Sequence, residues 1–189
     1  MNKNDTKEKI IETAIHKLRY EYIQDFSVRN VVKALNLTTG SFYKHFKNKD
    51  SLFLEAAQRI SQQVYSQIYP QIIKQEDHPQ KALCLLGSNL IDFVISEPKL
   101  ADFLFFNTEV LNAYSVYSSN KSSLSLLKLT LKLIDDLVSQ EALQETSETL
   151  FIQIWSFIQG YAILIKNHVV VKDDSLIEHT LTELIKGAK

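Results

Sequence analysis

Apolar residues recur along most of this chain at three- and four-residue intervals, the spacing of one helix face. In "TKEKIIETAIHKLRYEY" the positions are Ile10, Ile11, Ala14, Ile15, Leu18 and Tyr22, with Thr6 as the expected N-cap. "DFSVRNVVKALNL" predicts a second helix, capped by Ser27, with Val28, Val31, Val32 and Leu35 facing inward. Asn36 interrupts that pattern with a residue that tolerates the left-handed backbone of a tight turn. Thr38 or Thr39 then caps a short third helix reaching to about Phe46. A fourth runs from Lys49 to Tyr69, with Asp50 in its first turn, and is expected to end at Pro70.

The same logic carries through the rest of the chain. A linker over "KQEDHPQ" leads to a fifth helix at 79–96, with Pro79 in the favourable first position. An aromatic sixth segment at 99–114 is interrupted around Asn107 and followed by a polar loop, "SVYSSNKSS". Part of "SLSLLKLTLKLIDDLVSQ" alternates as a strand would, but its length and shortage of β-branched residues favour a helix. Residues 146–168 form a long, nearly all-apolar helix, and a final one is capped by Asp173 or Asp174. The expected fold class is all-α.

Composition sharpens this picture. Only 4 Gly and 3 Pro in 189 residues suit long helices, and 45% hydrophobic content is ample for a core. Cys84 stands alone, the N-terminus has no apolar leader, and no run looks long enough to span a bilayer, so a cytoplasmic protein without membrane contact is expected. Charge is uneven. Residues 1–60 carry 11 Lys or Arg against 7 Asp or Glu, a net +4, whereas the remainder is net −5. A basic first third suggests a polyanionic partner. The five histidines are scattered, with no H-x-x-x-H, C-x-x-C or phosphate-cradling glycine loop, which argues against an enzyme and predicts no metal or cofactor.

Two helices joined by a tight turn, the second short and hydroxyl-rich, describe a helix-turn-helix over residues 27–46. With Val28, Val31, Val32, Leu35, Leu37, Phe42 and Phe46 inward, Thr38, Thr39, Ser41, Lys44 and His45 are left on the outer face. Gly40 would let a backbone approach DNA closely, and Lys49 lies at a helix start that attracts phosphate. "VVKALNLTTGSFYKHFKNKDSL" resembles the DNA-binding signature of TetR-family transcriptional regulators, I-A-x-A-A-G-V-S-x-G-x-L-Y-x-H-F-x-x-K-E-x-L. The two run in register without a gap from Val31 to Leu52, sharing Gly40, Tyr43, His45, Phe46, Lys49 and Leu52. Asn36 stands where that signature has glycine, and Val32 where it has alanine.

The resemblance implies a DNA-binding domain at 1–47 and a ligand-binding and dimerisation domain at 48–189, joined by the connecting helix at about 49–69. It implies that Ser27, Arg29, Thr38, Thr39, Ser41, Tyr43, Lys44, His45 and Lys49 face DNA. Tyr43, His45 and Lys49 would contact phosphate, and Arg29, Thr39 and Ser41 the bases. It further implies a homodimer on a palindromic operator, paired through the last two helices, for which Phe151, Ile154, Phe157, Ile158, Gly160, Leu181 and Leu184 are the candidates. "LFIQIWSFIQGYAILI" is apolar almost all round, which suits a helix covered by a partner, and Gly160 suits close approach of another backbone. Phe93, Phe103, Phe105, Phe106, Tyr114, Tyr117, Trp155 and Tyr161 would then surround a pocket for an unknown apolar or aromatic small molecule, ordinary core being the alternative. The implied function is a repressor released by its ligand. A helical dimer acting through protein contacts, or a regulator without a ligand, is the rival reading.

Overall fold

The computed structural model describes residues 3–111 and 124–189. Every regular element among them is helical. Helix α1 (Lys3–Tyr20) buries Ile10, Ile11, Ala14, Ile15 and Leu18. It begins before Thr6, which lies within the helix and does not cap it. Tyr22 falls beyond its end and is exposed, contrary to the inward position its spacing suggested. Helices α2 (Val28–Ala34) and α3 (Thr39–Tyr43) pack on each other, and α1 packs on α2.

Helix α4 (Lys49–Ile72) starts in a capping box: Asn48 accepts from the Ser51 N–H at 2.9 Å, and Ser51 Oγ accepts from the Asn48 N–H at 3.2 Å. It does not stop at Pro70. A proline this close to a C-terminus forfeits a single ladder bond, and burial of Ile68 and Ile72 on either side carries the helix through.

Beyond a 3₁₀ turn (Ile73–Gln75) come α5 (Pro79–Ser96), α6 (Pro98–Phe106) and α7 (Thr108–Leu111), with Asn107 marking the expected break between the last two. Helices α8 (Ser125–Glu141), α9 (Ser147–Lys166) and α10 (Asp174–Gly187) complete the chain, α10 being capped by Asp173 as expected. Helix α5 is central and touches α4, α6, α8, α9 and α10. Gly87 allows its closest approach to α9, because a Cβ there would lie 2.8 Å from Ile158 Cδ1. The loop expected at 115–123 lies outside the described residues.

By length and composition α9 could cross a membrane, which corrects the expectation that no run approached that length. One side of it buries Leu150, Phe151, Ile158, Tyr161, Ala162 and Ile165 and packs on α5, α8 and α10.

The first three helices are fastened to the rest by mixed contacts. Arg19 Nε lies 3.1 Å from Glu97 at the α5–α6 junction. Lys99 Nζ donates to the Tyr20 carbonyl and sits 4.5 Å from the Tyr22 ring centroid. On the buried side Phe53 of α4 meets Phe26, just before α2, edge to face at 5.0 Å, and Phe103 of α6 likewise at 5.1 Å.

Candidate nucleic-acid interface

The turn between α2 and α3 is built on Asn36, whose φ of 55° places it in the left-handed region. This asparagine therefore does the conformational work of the glycine it replaces. The Leu37 N–H reaches back to the Val32 carbonyl at 2.8 Å and closes the turn. Thr38 follows in extended conformation as the N-cap of α3, and its Oγ1 accepts from the Ser41 N–H at 3.3 Å. The two hydroxyls are also bonded to each other at 3.1 Å. Thr38 and Ser41 thus stabilise the helix start, while Thr39 and Gly40 stand exposed beside them.

Two aromatic side chains anchor α3 from beneath. Phe42 and Phe46 are buried and stacked, with ring centroids 5.2 Å apart. Tyr43, edge-on to Phe42, points outward and is 65% exposed. Lys44 is also exposed, and His45 is half-buried. Gly40 has an ordinary negative φ, and a Cβ there would meet only Thr38 Oγ1 at 3.6 Å. The chain's own packing does not require glycine at that position.

The cations of this region fall into two groups. Lys7 pairs with Glu55 at 2.7 Å, Lys9 with Asp5 at 3.0 Å, Lys17 with Glu21 at 2.8 Å, and Arg59 with Glu8. Arg29, Lys33, Lys44 and Lys47 are exposed, and among the described residues none of the four has an acidic partner. All four belong to α2, α3 or the turn that follows. Lys49 is held differently, with its Nζ 4.8 Å from the Phe53 ring centroid and 5.9 Å from that of Phe26. Ser27 caps α2 through its backbone alone, its hydroxyl making no cap bond.

Several of the expected pocket aromatics pack on one another. Phe105 meets Phe93 and Trp155 edge to face, and Trp155 stacks on Phe151. Phe105 and Trp155 line a void of about 10 Å³ with Leu90, Leu126, Leu127 and Thr130. Phe103 is fully buried against Phe53, and Phe106 is exposed. Tyr161 is a structural pin: its hydroxyl accepts from the Asp173 N–H at 2.6 Å and donates to the Val171 carbonyl at 3.2 Å. Tyr114 and Tyr117 lie outside the described residues. Phe93 borders a cleft of about 330 Å³ next to Arg19.

The expected dimer residues divide likewise. Phe151, Ile158 and Leu181 are buried within the chain and so are not available to a partner. Ile154, Phe157 and Leu184 are half-buried against the core. Gly160 has nothing within 4 Å of where its Cβ would be. It lies on an open stripe of α9 with Ile152, Ser156, Ile163 and Leu164, and Leu176 is the exposed apolar residue of α10. A helix apolar all round conceals which half its own chain covers, and the burial pattern separates the two. Among the described residues no three His, Cys, Asp or Glu side chains converge as a metal site.

Residues 10–56 match the family model of the bacterial regulatory proteins, tetR family. Over those residues the chain is similar to the tetR-family regulators. That match runs from within α1 through α2 and α3 to the first third of α4, so it takes in the module that carries the unpaired cations. Two solved structures share the fold over nearly the whole length. A multidrug binding protein, EbrR, complexed with imidazole is 17% identical, with a TM-score of 0.61 over 94% of this chain and 93% of its own. A transcriptional regulator from Rhodococcus sp. Rha1 is 18% identical, with a TM-score of 0.57 over 97% and 95%. No curated protein sequence matches the chain. The chain thus shares an all-α fold with these structures, and its first helices match the tetR-family regulators.

Proposed function

We propose that the chain works as a cytoplasmic homodimer that binds a palindromic operator, represses transcription there, and leaves when a small molecule occupies its larger domain. The observation that carries the reading is the division of cations. Lys7, Lys9, Lys17 and Arg19 of α1 each have an acidic partner, whereas among the described residues Arg29, Lys33, Lys44 and Lys47 of α2, α3 and the following turn have none. Unpaired surface cations in a row are what a phosphate backbone neutralises, with release of counterions.

In this reading residues 1–47 read DNA and residues 48–189 dimerise and respond. Arg29, Thr39 and Gly40 meet the base edges. Tyr43, Lys44, His45 and Lys49 meet phosphate, and Thr38 and Ser41 hold the start of α3 while their hydroxyls remain at the groove. Gly40 supports this assignment because nothing inside the chain demands it. The dimer forms through the stripe of Ile152, Ser156, Gly160, Ile163 and Leu164, which covers the open face of α9 and sets two α3 helices about 34 Å apart. The chain acts by binding and not by catalysis.

Light scattering of the free protein, followed by fluorescence anisotropy with labelled duplex at several salt concentrations, tests the reading. It requires a mass of two chains and an affinity that falls steeply with salt. A monomer, or a duplex affinity indifferent to salt, would overturn it and favour action through protein contacts.

A further inference from the structure

The cleft of about 330 Å³ lies where the first three helices meet the larger domain. Its size falls within the range of small-molecule sites. Along one wall α4 presents Gln63, Gln67 and Gln71, each one turn after the last, and α5 presents Asp92 and Phe93 opposite. Ile60, Val64 and Leu100 give it an apolar floor. Arg19, in the last turn of α1, and Glu97, between α5 and α6, close one end.

Charge identifies the occupant. The lining carries two carboxylates, Asp92 and Glu97, against the single cation Arg19. Lys172 reaches Asp92 at 2.7 Å from the turn before α10. Arg19 lies on Glu97 at 3.1 Å, with both side chains partly exposed. The guanidinium of Arg19 therefore already fills an anionic subsite bordered by amides and an aromatic ring. A ligand of the same chemistry with a short apolar body would fit beside it and compete for it.

We propose that this cleft binds a small organic cation of the guanidinium or alkylammonium class, which displaces Arg19 from Glu97. The proposal rests on the reading of the chain as a ligand-released regulator and names the site and the ligand class. Its consequence is mechanical. Arg19 fastens the end of α1 to the α5–α6 junction, so a ligand that takes its place binds best when that fastening is open and shifts the population accordingly.

Calorimetry of the full chain without DNA tests this, with butylguanidinium as the probe and butylurea as its uncharged isostere. Saturable binding of the guanidinium and at least ten-fold weaker binding of the urea are expected. Glu97→Gln should abolish guanidinium binding. Arg19→Gln should tighten it about two- to five-fold, since a partly exposed ion pair is a weak internal competitor. Both substitutions are near the surface and neither adds bulk, and helix content by circular dichroism reports whether each has folded. No saturable binding, equal binding of the two probes, retained binding in Glu97→Gln, or weaker binding in Arg19→Gln would each overturn the proposal. Because DNA is absent, these failures leave the operator-binding reading standing. Cation binding by a protein with no operator would leave the site standing and remove its regulatory role.

Discussion

Neutralising Lys44 should flatten the salt dependence of DNA binding, and neutralising Lys9 should not. Both substitutions to glutamine remove one positive charge, so net charge alone cannot separate them. The structure does: Lys9 already lies 3.0 Å from Asp5, while Lys44 is exposed at the end of α3 without an acidic partner among the described residues. Each phosphate contact contributes a slope of about −0.9 to log affinity against log salt. Two heads lose two contacts in Lys44→Gln, so the slope should become shallower by about 1.8. At 0.15 M salt each lost contact costs about five-fold in affinity, hence roughly thirty-fold for a dimer. Anisotropy of a labelled duplex between about 0.05 and 0.3 M salt covers the useful range. Lys9→Gln should keep the parent slope within error. If the two variants flattened the slope equally, the inference from paired and unpaired cations would be wrong, because the back of α1 would then face DNA as much as α3 does.

Three other substitutions or treatments test individual features. Gly87→Ala should destabilise by about 1 kcal/mol, since the crowding of Ile158 Cδ1 outweighs the better helix propensity of alanine. Ile158→Val removes that methyl, so in urea unfolding at fixed protein concentration the double variant should be more stable than the sum of the single effects. Simple additivity would refute the close α5–α9 approach. The Cys84 thiol, pushed up to about 11 by burial and by the nearby charge of Glu178, should react slowly with a disulfide reagent at neutral pH. Its rate should climb about ten-fold per pH unit until pH approaches 11, whereas fast labelling at pH 7 would contradict the burial. Tyr161→Phe should lose about 1 kcal/mol in thermal unfolding, because the Asp173 N–H and the Val171 carbonyl lose their partner. A variant as stable as the parent would show that this hydroxyl does not pin the α9–α10 turn.

Much of the fold was legible because local chemistry and global packing agree. The apolar spacing of α1, the left-handed Asn36, the cap at Thr38, Pro79 at a helix start and the break at Asn107 each have a local cause that the structure retains. The misjudged ends are places where tertiary burial overrode a local signal. Pro70 should stop a helix by its own chemistry, yet Ile68 and Ile72 carry α4 past it. Tyr22 matched the spacing of α1 but falls after its last turn. At the start of α4, Asp50 lies in the first turn as expected, and Asn48 and Ser51 form a capping box that the sequence reading did not name.

The site was legible to different depths. Exposure of Arg29, Thr39, Tyr43 and Lys44 follows from helix phase, which sequence carries. The pairing of Lys7 with Glu55, or of Arg19 with Glu97, joins residues far apart in the chain, and spacing holds no trace of it. Spacing placed aromatic residues in these helices but did not show how their rings meet. Phe93 and Trp155 each meet Phe105 edge to face. For α9, composition announced an apolar helix without saying that Phe151 and Ile158 turn inward while Ile152 and Gly160 stay open.

The most direct test of sequence-specific reading by α3 in a two-fold dimer is selection from a pool of random duplex DNA by the purified full chain, followed by sequencing. The account predicts enrichment of an inverted repeat whose half-sites lie about one helical turn apart. Thr39→Ala or Arg29→Ala should shift the enriched bases, while Tyr43→Ala lowers recovery without changing them. A folded dimer that enriches no sequence at low salt, or enriches a motif with no two-fold symmetry, would contradict it.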